Sequence, residues 1–276
     1  MTKRRTRIRA DLLVVQRGLA ETRERAQALI IGGAVLVPGG KVLKPGSLLS
    51  PDTVLETKGG LPYVGRGGVK LAHALDAFSV AVDGKTALDV GASTGGFTDC
   101  LLQRGARRVF ALDVGHGQMD YRLRRDPRVV VMEKVNARYS FSLPAEGSLT
   151  NEGSLLDEGS TGDVKVDLAT VDVAFISLTK VLPQVALHVK PGCPLIALVK
   201  PQFEAERGEV GRGGVVKDPK VHARVLGRMV LWAVEEGFRL GGIVPSPILG
   251  DAGNREFFVL MRTWARLSPA GCREYY

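Results

Sequence analysis

The sequence predicts an α/β chain, with a small α+β module ahead of a larger layered domain built on a mostly parallel sheet. Three observations predict it. From residue 69 onward, short apolar runs alternate with amphipathic stretches of helical period. One of those runs, TALDV at Thr86–Val90, feeds a glycine-rich turn and then an apolar-periodic segment, GASTGGFTDCL, which is the order strand, turn, helix of a nucleotide-binding βαβ unit. Finally, KGGLPYVGRGG at 58–68 holds five glycines and a proline in eleven residues, which is linker composition. These features place a first domain at residues 1–60, a linker at 61–68 and the larger domain at 69–268.

Within the first sixty residues, Arg9–Gly18 reads as a short amphipathic helix ended by glycine, and a second helix starts near Thr22 with Ala26, Leu29 and Ile30 on its apolar face. Ala34–Leu43 (AVLVPGGKVL) then reads as strand, turn and strand, and KPGSLLSPDTVLE adds a turn and a further short strand. The whole chain carries a net charge of +9, and residues 1–60 hold 11 Lys and Arg against 5 Asp and Glu. Two thirds of the excess charge therefore sits in under a quarter of the chain, which fits a polyanionic partner better than a scattered basic surface does.

The string RADLLVVQRGLAETRERAQALIIGGAVLVPGGKVLKPGSLL resembles the S4 RNA-binding domain. The matching features are its R-x-D-x-L-L start, G-L-A followed by T-R-E-R-A, and I-x-G-G-x-V-x-V ahead of a lysine-bearing hairpin. The resemblance implies that Arg4, Arg5, Arg7, Arg9, Arg23, Arg25, Lys41 and Lys44 lie toward phosphates, with Arg66 of the linker beside them. Such contacts position RNA without reading its bases.

A helix over Val69–Phe78 follows the linker and carries Lys70 near its start. A cation is out of place at a positive helix terminus, so this lysine is either solvated or placed to meet an anion. The glycine turn comes next. Its spacing is G-x-x-x-G-G (Gly91, Gly95, Gly96) after Asp89, not the G-x-G-x-x-G of a pyrophosphate site. An acid ahead of the first glycine fits a cationic ligand such as S-adenosylmethionine better than a diphosphate, with dinucleotide binding and a plain tight turn as alternatives. Asp113 ends the second strand (Arg108–Val114), 22 residues past Gly91, near the separation at which an acid takes ribose hydroxyls. Val129–Met132 is a third strand, which puts Glu133–Asn136 at the adenine end.

Residues 144–165 contain a six-residue EGS repeat, polar and glycine-rich, and read as a flexible surface insertion. Val166–Leu178 supplies a fourth strand, with Asp172 near its C-terminal end, and Thr179–Lys190 a helix. The apolar run LIALV (Leu195–Val199) stops at Lys200, and Pro219–Glu236 is an amphipathic helix. Leu240–Ile248 and Glu256–Arg262 close the pattern as a strand pair, giving a seven-stranded sheet with one antiparallel strand.

Lys70, Asp172, Lys200 and Glu256 all fall at the carboxyl edge of this sheet, where open α/β sheets bind ligands. Two lysines and two carboxylates in one cleft perturb each other's protonation. A neutral lysine there accepts the proton of a hydroxyl nucleophile; a charged one stabilises the alkoxide. Neither route needs a metal or a covalent intermediate.

From YVGRGGVKL through DVAFISL, VKPQFE and GNREFF, residues 63–258 resemble the FtsJ-type ribosomal RNA 2′-O-methyltransferases. With the S4-like module in front, the chain is similar to the TlyA (haemolysin A) family. The resemblance implies a Rossmann-like methyltransferase domain, S-adenosylmethionine as cofactor and ribosomal RNA or ribosomal subunits as partner, with transfer to a ribose 2′-hydroxyl of cytidine. It also implies a catalytic tetrad of Lys70, Asp172, Lys200 and Glu256, with Lys200 as base, Asp172 and Glu256 tuning it and Lys70 holding the target nucleotide. Cofactor contacts would come from Asp89, Gly91, Ser93, Gly95, Gly96, Phe97, Asp113 and Asp172. Two departures stand out: Gly65 occupies a serine position of the family string, and the EGS repeat is an addition.

Three cysteines far apart and four scattered histidines argue against a disulfide framework and a metal site and fit a reducing cytoplasm. The basic N-terminus lacks the apolar core of a signal peptide, and no apolar run approaches the roughly 18 residues that cross a bilayer. Rival functions are a ribosome-assembly factor with an inert methyltransferase domain, a haemolysin and, weakest, a dinucleotide-dependent oxidoreductase.

Overall fold

A computed structural model describes residues 7–17, 19–20, 22–37, 43–57, 62–145, 164–211, 213–250 and 253–263. The chain divides into two compact units, Met1–Val69 and Lys70–Tyr276.

The first unit opens with β1 (Ile8–Arg9), which runs directly into helix α1 (Ala10–Gln16), and a second helix, α2 (Arg23–Ile31), follows. Ala10 and Val14 of α1 meet Ala26, Leu29 and Ile30 of α2 in a small apolar core. Strand β2 (Val35–Leu36), β3 (Leu48–Leu49) and β4 (Glu56–Thr57) complete the unit. β1 pairs antiparallel with β3, and β2 with β4. The sequence pattern called for a hairpin over Ala34–Leu43. Instead the described part of that stretch pairs with residues some twenty positions on, and residues 38–42 lie outside the described residues.

One polar group organises this small unit. Asp11 is fully buried, and its carboxylate accepts from Arg9 Nε (3.0 Å) and Nη2 (2.8 Å), Arg23 Nε (3.1 Å) and Gln27 Nε2 (2.9 Å). A buried carboxylate is tolerable only when so satisfied. The Arg9 guanidinium, first among these donors, holds the Asp11 carboxyl well below its usual range. A depressed folded-state pKa contributes stability above the ordinary carboxylate value near ~4 and loses it as pH falls through the depressed value. Asp11→Ala is expected to destabilise the chain at neutral pH by about 2 kcal/mol, with the difference shrinking in acid. Urea titrations at pH 7 and pH 3 check it; an equal loss at both pH values would contradict the assignment.

The second unit is a single layered sheet. Helix α3 (Arg66–Ala77) precedes β5 (Thr86–Val90), α4 (Gly96–Gln103), β6 (Arg108–Asp113), α5 (Tyr121–Arg124) and β7 (Val129–Glu133). After the insertion come β8 (Leu168–Val171), α6 (Leu182–Ala186), β9 (Pro194–Val199), α7 (Pro201–Glu204), α8 (Pro219–Glu235), β10 (Arg239–Pro245) and β11 (Phe257–Arg262). The strand order is β10-β11-β9-β8-β5-β6-β7. β11 runs antiparallel to both its neighbours, and the remaining ladders are parallel. This is the seven-stranded, one-antiparallel sheet the sequence predicts. Every residue of β5, β8 and β9 is buried, as expected of central strands covered on both faces.

Three local expectations change. α3 begins at Arg66, three residues earlier than predicted, so Lys70 sits in the second turn of the helix and not at its terminus. Gly67 and Gly68, read as linker, belong to its first turn. A Cβ on Gly68 would lie 2.3–2.5 Å from the Tyr63 side chain, so the glycine serves close approach. The predicted helix over Thr179–Lys190 is a 3-10 turn (Leu178–Lys180) followed by the short α6, because Pro183 suits only a first helical turn. The fourth strand shrinks to four residues, with Leu178 in that 3-10 turn. The EGS repeat at 146–163 lies outside the described residues.

Candidate active site

The site is built at the carboxyl ends of β5, β6, β8 and β9, where the antiparallel β11 begins. Gly91 leaves β5 at φ +85°, a left-handed backbone that favours glycine. A Cβ there would stand 2.3 Å from the Asp172 carbonyl oxygen, so only glycine lets the two strand ends lie side by side. The turn then leads to Gly95, the N-cap of α4, whose first-turn N–H groups and positive dipole end face the edge. Ser93 N donates to Asp113 Oδ2 at 2.7 Å and Gly115 N to Asp113 Oδ1 at 2.6 Å. The Asp113 carboxylate thus ties the glycine turn to the end of β6. At the end of β7, Glu133 accepts from Arg124, from Gly117 N (2.8 Å) and from His116 Nδ1 (2.7 Å). Arg124 is the main cause holding its carboxyl below the usual range.

Two ion pairs close the edge on the other side. Lys70 Nζ donates to Glu256 Oε2 at 2.6 Å, with both side chains buried. Lys200 Nζ lies 2.7 Å from Asp172 Oδ1 without the alignment of a hydrogen bond, and both groups keep some exposure. Strand register explains the placement. Val199 pairs with Phe257, so Lys200, one step past β9, and Glu256, one step before β11, leave adjacent strands at the same edge. Asp172 follows β8, whose neighbour is β9. Gly250 passes so close that a Cβ on it would meet Glu256 Oε1 at 2.2 Å, which holds that carboxylate toward Lys70.

Two residues read from the sequence as cofactor contacts are buried. Asp89 has no exposed surface; it accepts from Thr98 Oγ1 (2.7 Å) and Thr170 Oγ1 (3.2 Å). Burial pushes its carboxyl up to about 7 against the pull of those hydroxyls. Phe97 is buried with its ring 6.1 Å from that of Phe258. Both side chains are thus engaged inside the domain, beside the glycine turn. Gly91, Ser93, Gly95, Gly96, Asp113 and Asp172 stay at the edge. Of the basic residues assigned to RNA, Arg7 and Lys44 are exposed and Arg66 opens α3, whereas Arg9 and Arg23 hold Asp11. Arg4, Arg5, Lys41 and the Arg25 side chain lie outside the described residues.

The sequence reading missed Phe175. It lies three residues past Asp172 with φ +62°, is 91% exposed, and its ring centroid is 5.1 Å from that of Phe203, three residues past Lys200. The matched offsets from the two charged residues were the available signal. It also missed Asn254, buried, whose side chain accepts from Val216 N (2.9 Å) and donates to Gly214 O (2.9 Å). Asn254 therefore pins the glycine-rich loop ahead of α8 to the strand entry that carries Glu256.

A seven-stranded sheet with its one antiparallel strand beside the edge, a glycine turn after the first central strand and an acid at the end of the next define a Rossmann-like methyltransferase. Residues 63–263 match the model of the FtsJ-like methyltransferases, and residues 8–55 that of the S4 domain. The chain belongs to the FtsJ-like methyltransferase family and, within it, to the TlyA group. It is 46% identical over 260 residues to the candidate rRNA methyltransferase YqxC of Bacillus subtilis, covering 94% of this chain and 86% of that one. It is 44% identical over 259 residues to the 16S/23S rRNA (cytidine-2′-O)-methyltransferase TlyA of Mycobacterium tuberculosis, covering 93% and 90%. Among solved structures, a candidate hemolysin of Streptococcus thermophilus superimposes with a TM-score of 0.68 at 39% identity, covering 95% and 90%. No helix among the described residues is long and apolar enough to cross a membrane.

Proposed function

We propose that this chain methylates a ribose 2′-hydroxyl of cytidine in ribosomal RNA, with S-adenosylmethionine as methyl donor, acting on ribosomal subunits in the cytoplasm. The observation that carries the reading is the double ion pair, Lys70–Glu256 and Lys200–Asp172, set at the sheet edge beside the Gly91 turn. The edge suits the donor on this chain's own geometry. The backbone at Gly91 is bare where it passes Asp172, Asp113 offers a carboxylate to ribose hydroxyls, and the Asp172 carboxylate lies where a cationic centre needs a counter-charge. Ser93, Gly95 and Gly96 would hold it with those residues, and Glu133 would lie toward the base. S-adenosylmethionine supplies an electrophilic methyl group.

The protein's part is positioning and proton handling. A 2′-hydroxyl is a poor nucleophile while it keeps its proton. In its neutral form Lys200 Nζ is the group placed to receive that proton, becoming the ammonium, and Asp172 holds the amine in place. Lys70, fixed by Glu256, is the second cation at the edge and orients the nucleotide carrying the hydroxyl. Phe175 offers an exposed aromatic face on which a base can stack. Bringing the oxygen in line with the methyl supplies the remainder of the rate enhancement. Arg7 and Lys44 of the S4 unit and Arg66 at the start of α3 would hold RNA, with Arg4, Arg5, Arg25 and Lys41 completing the set and Arg9 and Arg23 facing phosphates while they hold Asp11.

Tritium transfer from labelled S-adenosylmethionine to purified ribosomal subunits tests the reading, with the modified nucleoside identified by mass spectrometry. The expected product is 2′-O-methylcytidine. Label on a base, or none in RNA while S-adenosylmethionine binds, would overturn it.

A further inference from the structure

The segments leaving β8 and β9 meet at three successive points. At the base, Lys200 contacts Asp172 at 2.7 Å. Three residues out on each segment, Phe203 meets Phe175 with ring centroids 5.1 Å apart. At the far end, Glu204 Oε2 accepts from Ser177 Oγ at 2.6 Å, and its Oε1 from Leu178 N at 2.7 Å. Ser177 is itself fixed as the N-cap of the 3-10 turn, with its Oγ 2.8 Å from Thr179 Oγ1. On the other side, Arg228 of α8 reaches the Glu204 carbonyl at 3.4 Å.

We propose that Glu204 is a positioning residue for the transfer reaction, an outer brace that fixes the Lys200 amine and the Phe175 ring by locking together the segments that carry them. The proposal rests on the reading of Lys200 and Asp172 as the transfer pair. Its physical ground is that the inner contacts are weak by themselves. The Lys200–Asp172 contact is not aligned as a hydrogen bond, and an aromatic pair with one ring exposed contributes modestly. Phe175 also holds a left-handed backbone that is unfavourable for a bulky residue and persists only where its surroundings enforce it. The two charge-assisted bonds at Glu204 are the strongest of the three contacts. Burial raises the Glu204 carboxyl, and its two donors act against that rise, as for a side chain turned into the protein. It reaches the chemistry only through its neighbours.

Glu204→Gln and Glu204→Ala separate this role from simple structural support. The glutamine can accept from Leu178 N through its amide oxygen and donate to Ser177 Oγ through its amide nitrogen; alanine can do neither. Hydrogen–deuterium exchange of the full-length protein, read at Leu178 and across 173–178, should rise about tenfold or more in Glu204→Ala. In the same variant kcat should fall on the order of 10²-fold per folded molecule, with the KM for S-adenosylmethionine within about twofold. Glu204→Gln should recover most of both losses. Unchanged exchange at Leu178, or a kcat loss that follows only the folded fraction, would overturn the brace. If Glu204→Ala does not fold, Ser177→Ala removes one of the two bonds and should show the same pattern at smaller size. A wild-type chain that transfers nothing to RNA would sink the assignment of Lys200 and Asp172, while the exchange measurement would still judge the brace.

Discussion

Lys200→Ala is expected to reduce methyl transfer about 10³-fold, while the fold and S-adenosylmethionine binding persist. A positioned acid–base group contributes roughly 10²–10⁴-fold, and Lys200 is the amine at the sheet edge that is only partly buried and not aligned as a donor to its carboxylate. Its loss leaves Asp172 partly exposed and therefore hydrated, so little stability should go with it. The glycine turn and Asp113, which would hold the cofactor, do not involve Lys200. Lys200→Arg sharpens the test, because guanidinium keeps the charge and cannot give up its proton. Transfer by the arginine variant near the wild-type rate would show that the lysine stabilises the alkoxide instead of removing the proton. Calorimetric titration of the cofactor and tritium transfer to subunits, run on both variants, supply the readouts.

Removing the partner of the other lysine should have a different signature. Glu256→Ala leaves Lys70 buried beside no counter-charge, and breaking one side of a buried pair costs about 3 kcal/mol or more. Much of that cost is the stranded charge. Replacing both members, Lys70→Met with Glu256→Leu, should thus recover a large part of the stability while transfer stays lost. Denaturant midpoints of the single and double variants measure the first effect, and the transfer assay the second. A Glu256→Ala protein within about 1 kcal/mol of wild type would show that Lys70 reaches water or another acid.

Much of the second unit was legible because its strands are buried on both faces: PLIALV and the TALDV run cannot be mistaken for surface. Three of the tetrad were legible as charged residues at strand ends and Lys70 as a helix lysine, and register turns part of that expectation into geometry, since Val199 faces Phe257. What escaped depended on partners far off in sequence. Asp89 interrupts an apolar strand, and only the fold shows that it accepts from Thr98 and Thr170. Arg9 and Arg23 read as phosphate ligands, and only the fold shows that both also hold Asp11. Glu204 carries no local signal, because its two donors lie 26 and 27 residues upstream. By contrast, the shortening of α6 was written in Pro183, which suits only a first helical turn.

The position of β11 also bears on timing. The last strand among the described residues fills the gap between β9 and β10, and the carboxylate at its start joins a lysine 186 positions earlier. While the chain is being synthesised, β9 lacks a neighbour on that side and Lys70 has no counter-charge from Glu256. Domains form as units during synthesis, and this one cannot close its edge until Phe257–Arg262 have left the ribosome. On the reading of its substrate proposed above, the nascent enzyme is therefore inert toward the ribosome that makes it, and competence arrives only with β11.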